Sequence, residues 1–153
     1  KLVEAGRGHR LRGMDSHPAV ASLRIPGAEI ARGDLTKPGC LPAAAFDRVF
    51  CLDVLEHIES LAEPLGSIRE ALRPGGLLVI TAPTESLFHK ACRFVLKGTF
   101  SDAEGPAAGR HFHRASTLAA AVSSAGFLRL EARSLPLAGP LALIRVMSFR
   151  REG

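Results

Sequence analysis

The segment 46–83 constrains the fold most, because two apolar runs flank a helical pattern. Residues 46–52 (FDRVFCL) have the length and composition of a buried strand, and residues 77–80 (LLVI) form a second apolar run. Between them, apolar residues recur at the spacing of one helix face: Leu65, Ile68 and Leu72. Pro64 suits the first turn of this helix, and the Pro-Gly-Gly turn 74–76 ends it. This order predicts a βαβ unit in a parallel sheet.

The chain before this segment shows the same alternation. Residues 11–15 (LRGMD) read as a short strand that ends in a carboxylate, and residues 18–25 as a helix that begins at a proline. Residues 28–34 (AEIARGD) read as a weaker strand with a second carboxylate at its end. Ligands of parallel sheets bind beyond the carboxyl ends of the strands. We therefore expect a ligand site near Asp15, Asp34 and Asp53.

Composition and charge exclude several classes of protein. The chain has 153 residues, which fits one domain with a core of its own. The net charge is +5, but basic residues are scattered, and there is no Tyr or Trp to stack on bases, so nucleic-acid binding is not expected. The three cysteines lack a CxxC pair and indicate reduced thiols in the cytoplasm. No apolar run has the length of a membrane span, so no membrane partner is expected.

Three motifs occur in order along the central segment: FDRVFCLDVLEHI, SIREALRPGG and LLVITAP. Together they resemble the class I S-adenosylmethionine-dependent methyltransferases. The resemblance implies an α/β, Rossmann-like doubly wound fold, with a mostly parallel sheet and an antiparallel C-terminal hairpin. It also implies that residues 1–153 form a single, partial methyltransferase domain, which transfers methyl from S-adenosylmethionine to a small-molecule acceptor. Two alternatives stay open: a non-catalytic module with this fold, and another Rossmann-like nucleotide-binding enzyme.

The resemblance assigns cofactor contacts to the first two strand ends. Asp15, flanked by Met14 and Ser16, is expected to accept hydrogen bonds from the ribose hydroxyls, since a carboxylate can take two donors from a cis-diol. Asp34 is expected near the adenine amino group, where Leu35 would offer a backbone N–H and an apolar wall. Each Asp has an alternative role as the cap of a helix or turn.

The end of the central strand is expected to face the methionine part of the cofactor and the acceptor. Asp53 and the Cys51 backbone are assigned there. His57 is the candidate catalytic base, because an imidazole can take a proton from an oxygen or nitrogen nucleophile near neutral pH. A structural role for His57 stays open, since holding the two reactants together can supply most of the acceleration.

The glycines Gly6 and Gly8 resemble half of the family's glycine-rich cofactor loop, but their context is wrong. That loop must follow a strand and open a helix, whereas residues 1–6 have a helical composition. We therefore expect the family's first strand and glycine loop to lie upstream of Lys1. On that expectation, residues 1–153 alone bind the cofactor weakly or not at all, and the segment before Phe46 is the less stable part.

The segment 84–110 is irregular, with a helical pattern at 87–96 and a loop at 100–110, and the resemblance places the acceptor pocket there. The following motif, 111–114 (HFHR), offers at most two metal ligands, so no metal site is expected.

The last third of the chain predicts a helix and a hairpin. Ser116 suits the N-cap of a helix that ends at Gly126, with Leu118 and Val122 on its inner face. Residues 128–133 alternate as a strand with one wetted face, and residues 141–149 form another strand. The connection between the two strands is too short for a helical crossover and predicts an antiparallel hairpin.

Overall fold

The computed structural model describes residues 10–84, 111–137 and 139–153, and the chain divides into two compact units after Cys40. The N-terminal unit is a two-stranded parallel sheet of β1 (Leu11–Asp15) and β2 (Ala28–Arg32). Leu11 pairs with Ala28 and Asp15 pairs with Arg32, and the register between these two pairs has no bulge. Both strands therefore end at the same edge of this sheet.

The helix between β1 and β2 is shorter than the sequence predicts. Instead of a helix over 18–25, a 3₁₀ helix spans Pro18–Ser22, and Leu23 is already extended. The imidazole Nδ1 of His17 accepts a hydrogen bond from the Ala19 N–H at 3.2 Å and caps the first turn. Gly27 has a φ of 78°, which reverses the chain before β2.

The C-terminal unit is a four-stranded sheet in the order β3-β4-β6-β5, with helices packed on it. Its elements are β3 (Phe46–Cys51), α1 (Ala62–Ala71), β4 (Leu72–Pro83), α2 (Ala115–Ser124), β5 (Phe127–Pro136) and β6 (Ala142–Arg151). β3 and β4 are parallel, whereas β6 runs antiparallel to both of its neighbours, β4 and β5. The mixed α/β fold, the βαβ unit and the C-terminal hairpin are thus as the sequence predicts. No helix among the described residues is long and apolar enough to cross a membrane.

The junction between α1 and β4 departs from the prediction. Leu72 is not the last residue of the helix face; it has extended backbone, begins β4 and lies opposite Phe46. The register then shifts, so that Arg48 lies opposite Leu77, and Gly75 has a φ of 75° within the irregularity. Positive φ favours glycine, which explains the Pro-Gly-Gly sequence.

The core of the C-terminal unit lies between the sheet and the two described helices. Its fully buried large side chains come from α1, β4, α2, β5 and β6, and include Ile68, Leu78, Ile80, Leu118, Val122, Phe127, Met147 and Phe149. Leu118 and Val122 are buried as the helical spacing of α2 predicts.

The start of α2 differs from the prediction by two residues. Arg114, not Ser116, is the N-cap residue. Its backbone N–H donates to Thr117 Oγ1 at 2.9 Å, and that hydroxyl donates to the Arg114 carbonyl. Ser116 is exposed within the first turn.

Strand β5 has less buried surface than its alternating sequence predicts. Phe127 is buried, but Leu128 and Leu130 are 51% and 44% exposed. β5 is the edge strand of the described sheet, and its pairing with β6 shifts between Arg129 and Glu131. The shift interrupts the alternation on which the prediction depends.

Candidate functional site

In the N-terminal unit, Asp15 is exposed at the end of β1. Its Oδ1 accepts a hydrogen bond from the His17 N–H at 2.7 Å, and its carbonyl accepts one from the Gly33 N–H at 2.9 Å. Asp15 therefore closes a turn, and within the described residues its second carboxylate oxygen has no partner. The turn role and a ligand role are compatible at this residue.

Asp34 follows β2 and also closes a turn. Its Oδ1 accepts hydrogen bonds from the Thr36 N–H at 2.9 Å and from the Thr36 hydroxyl at 2.7 Å. Both hydrogen bonds lower the pKa of the Asp34 carboxyl, and the bond from the Thr36 hydroxyl has the larger effect. The carboxylate is thus kept as an acceptor, and Leu35 beside it is half-buried.

Met14 and Ser16 flank Asp15 in different ways. The Met14 side chain packs against Gly33, and a Cβ at residue 33 would meet Met14 Sδ, so a larger residue there would require the flexible methionine side chain to shift. The Ser16 carbonyl accepts a hydrogen bond from Arg32 Nε at 3.1 Å, which ties the end of β1 to β2.

In the C-terminal unit, Asp53 has left-handed backbone, with a φ of 53°. Residues other than glycine rarely adopt this backbone conformation, and in known structures those that do are enriched at functional sites. Asp53 is exposed and lies two residues beyond β3. Its N–H donates to Thr81 Oγ1 at 2.9 Å, and the Thr81 hydroxyl donates to Asp53 Oδ1 at 2.7 Å. Sequence reasoning missed Thr81, because a threonine within an apolar strand carries no signal of this contact.

Cys51 is the last residue of β3, and its side chain is buried. Burial, with a smaller effect of the Glu56 charge, raises the pKa of the Cys51 thiol to about 12. The thiol therefore stays protonated and packs in the core, so a cofactor contact at this residue would use the backbone.

His57 ends a 3₁₀ helix, Leu55–His57, and its side chain is exposed. The structure brings it next to His111, with ring centroids 4.8 Å apart and planes tilted by 48°. The Phe112 N–H donates to the Glu56 carbonyl at 2.8 Å, and His113 Nε2 lies 3.1 Å from the Glu59 carbonyl. The HFHR motif thus anchors the start of α2 to the turn after β3. Within the described residues, no three His, Cys, Asp or Glu side chains form a group that could hold a metal ion.

Glu56 is almost completely buried, with 2% of its surface exposed. Burial raises the pKa of its carboxyl, and the Asp53 charge adds to this, while the charges of His57 and His111 oppose it. Its Oε2 has no hydrogen-bond partner among the described residues. A glutamate between two apolar stretches gave no sequence signal of burial, so sequence reasoning missed this residue.

A surface groove lies elsewhere in the C-terminal unit. It has a volume of about 680 Å³ and is lined by residues of α2, β5 and β6, including Ser116, Arg129 and Arg145. None of the candidate site residues lines it.

The sequence is similar to a known protein family. The profile of a family described as methyltransferase domain matches residues 5–131. A search of curated protein sequences found no match.

Solved structures with the same fold are distant in sequence. A S-adenosylmethionine-dependent methyltransferase from Mesorhizobium loti is 18% identical with a TM-score of 0.67, and the match covers 94% of this chain and 82% of that one. The 1,6-didemethyltoxoflavin-N1-methyltransferase of Burkholderia thailandensis, with bound 1,6-didemethyltoxoflavin and S-adenosylhomocysteine, is 20% identical with a TM-score of 0.65. The match covers 95% of this chain and 63% of that one.

A third structure is a complex of the Haloferax volcanii Trm112 methyltransferase activator with a methyltransferase. It is 13% identical with a TM-score of 0.69, and the match covers 99% of this chain and 76% of that one. At these identities the structures show the fold, and the family profile shows the relationship. The chain belongs to the methyltransferase domain family.

Proposed function

We propose that this chain transfers a methyl group from S-adenosylmethionine to a small-molecule acceptor with an apolar body and an oxygen or nitrogen nucleophile. The observation that carries the acceptor class is the surface around Asp53 and His57. Three large apolar side chains beside these polar groups are exposed to solvent: Leu52 (52%), Val54 (38%) and Phe112 (40%). Apolar walls around a few polar groups are typical of small-molecule sites.

The side chains at the strand ends fit the cofactor. Asp15 keeps a carboxylate oxygen that is not bonded within the described residues, and it suits the ribose hydroxyls. The lowered pKa keeps Asp34 an acceptor for the adenine amino group, and Leu35 beside it supplies an apolar surface. Met14 and Ser16 hold the end of β1 in place through Gly33 and Arg32.

When bound, S-adenosylmethionine supplies an electrophilic methyl group on a positively charged sulfur. In the proposed mechanism, Asp53 and the Cys51 backbone position the reactants at the end of β3. His57, which is exposed beside His111, accepts the proton that the acceptor atom loses. If His57 is structural instead, positioning alone carries the reaction.

The Burkholderia neighbour is a 1,6-didemethyltoxoflavin-N1-methyltransferase with bound 1,6-didemethyltoxoflavin, which supports a small-molecule acceptor here. We also propose a cytoplasmic location, which the free thiols of Cys40 and Cys51 support.

Calorimetric titration of the full-length protein tests the cofactor. We expect binding of S-adenosylmethionine and S-adenosylhomocysteine and no binding of NAD. A non-catalytic module would bind none of the three, and a nucleotide-dependent oxidoreductase would bind NAD alone.

The acceptor class needs a second experiment. The protein is incubated with S-adenosylmethionine carrying a labelled methyl group and with a cell extract separated by size. We expect the label in the low-molecular-mass fraction. Label in protein or nucleic acid would contradict the small-molecule acceptor.

A further inference from the structure

The conformation of Asp53 needs an explanation outside its own loop. A φ of 53° disfavours a residue with a side chain, so the surrounding structure must hold it. The structure shows one polar group that contacts both the backbone and the side chain of Asp53, the hydroxyl of Thr81. This hydroxyl accepts from the backbone N–H and donates to Oδ1, so it fixes both ends of the residue.

Thr81 is well placed to hold another residue. It lies within β4, which pairs with β3 on one side and with β6 on the other, where Thr81 is opposite Val146. Thr81 is half-buried, and its neighbours Ile80 and Ala82 are completely buried. The hydroxyl is therefore attached to an interior strand of the sheet, 28 residues away from the aspartate along the chain.

The two bonds also decide which carboxylate oxygen of Asp53 can meet a ligand. Oδ1 is occupied by the Thr81 hydroxyl, whereas Oδ2 has no hydrogen bond among the described residues, and the side chain is exposed. We propose that Thr81 is a positioning residue, which holds Asp53 in its left-handed conformation and presents Oδ2 to an N–H or O–H donor of the bound ligand. This inference rests on the proposed function, because it concerns the same site.

The chemistry of position 81 gives sharp variants. Valine has the shape of threonine but no hydroxyl, so Thr81→Val removes both bonds and keeps the packing. Thr81→Ser keeps the hydroxyl. Thr84→Val is the matched control, since the Thr84 hydroxyl also bonds across the chain, to the Ala142 carbonyl, but does not contact a strand-end carboxylate.

The test uses the full-length protein and measures hydrogen exchange of the Asp53 amide by NMR and the affinity for S-adenosylmethionine by calorimetry. In Thr81→Val we expect exchange at Asp53 to become at least about tenfold faster and affinity to fall about tenfold, as on losing hydrogen bonds to a charged group. Asp53→Asn should weaken affinity similarly, and the double variant should lose no more than either single variant. Thr81→Ser and Thr84→Val should bind within about twofold of the wild type. Should Thr81→Val fail to fold, Thr81→Ala serves in its place.

Different failures have different meanings. If Asp53→Asn loses affinity while Thr81→Val keeps it, the positioning role is overturned and the proposed function stands. Unchanged exchange at Asp53 in Thr81→Val also overturns the positioning role. If Asp53→Asn binds like the wild type, Asp53 is not a ligand group, and the inference is overturned together with that assignment. If the wild type does not bind the cofactor, the proposed function itself fails, and the inference with it.

Discussion

Both units have carboxylates at the ends of their strands, but the two units differ in the buried core beneath those strands. Within residues 10–40 no side chain is buried, whereas the C-terminal unit contains every buried apolar residue of the described chain. Both units nevertheless place carboxylates at or just beyond the carboxyl ends of parallel strands. Strand-end carboxylates therefore need little core around them, and the two units differ in how these side chains are held.

In the N-terminal unit each carboxylate is held locally. Asp15 and Asp34 bond to groups two residues further along the chain. In the C-terminal unit the contacts come from distant sequence: the Asp53 carboxylate accepts from the Thr81 hydroxyl, and the Glu56 backbone carbonyl accepts from the Phe112 N–H. Local turns can form without a core, but long-range contacts exist only when the unit is folded. The geometry around His57 thus depends on the fold far more than the geometry around Asp15.

The largest expected effect concerns chemistry in the C-terminal unit. If His57 is the base, His57→Ala should lower turnover by about 10² to 10⁴-fold with cofactor affinity kept. Because the side chain is exposed, thermal stability should stay nearly unchanged. Steady-state kinetics and calorimetry measure the two quantities. His17→Ala, at an exposed histidine of the other unit, is the control and should keep turnover within about threefold. If turnover of His57→Ala falls by less than threefold, or if its thermal stability falls along with turnover, His57 has a structural role.

A matched pair of substitutions tests the unequal cores directly. Ile80 is completely buried in β4, whereas Ile30 of β2 is half-buried. Ile80→Ala should lower the free energy of unfolding by about 2–5 kcal/mol, since it leaves a cavity in a packed core. Ile30→Ala should cost roughly 1 kcal/mol or less. Urea unfolding measures both.

Hydrogen exchange gives the same comparison without substitution. We expect amides of β1 and β2 to exchange faster than those of β4, because few buried contacts protect them. Equal exchange in the two sheets, or equal costs of the two alanine variants, would show that the N-terminal unit is as stable as the other.

Features that depend on residues close together in the sequence were predictable, whereas features that depend on contacts between distant residues were not. The βαβ unit was predictable because Pro64, the Pro-Gly-Gly turn and two apolar runs are local signals. The hairpin was predictable from its short connection. The exposure of Leu130 was not, since it depends on β5 being an edge strand with a register shift. The carboxylates at strand ends were found from position alone, whereas the Thr81 contact and the burial of Glu56 depend on tertiary packing.

Asp15→Ala tests the ligand role of the N-terminal unit. We expect cofactor binding to weaken by about 1–3 kcal/mol, the range for a lost charge-assisted hydrogen bond, with little effect on folding. Calorimetry with S-adenosylmethionine measures the change. Asp47→Ala is the control, because this exposed aspartate pairs with Arg73 at 2.7 Å, away from the strand ends. An unchanged dissociation constant in Asp15→Ala would leave Asp15 with its turn role only.

The smallest effect concerns the buried Glu56 and how stability depends on pH. Burial raises the pKa of its carboxyl in the folded protein above the value in the unfolded chain. Between these two values the folded state keeps a proton that the unfolded state has lost. The free energy of unfolding therefore falls as pH rises through this window, and Glu56 contributes no slope below it. Glu56→Gln cannot ionise, so its advantage over the wild type should grow with pH across the window and then level off. Urea unfolding at several values from about pH 4 to about pH 8 measures this difference.

The control is Glu59→Gln, at an exposed glutamate. Its free energy of unfolding should depend on pH in the same way as that of the wild type. A difference that is constant with pH would show that folding does not raise the pKa of the Glu56 carboxyl.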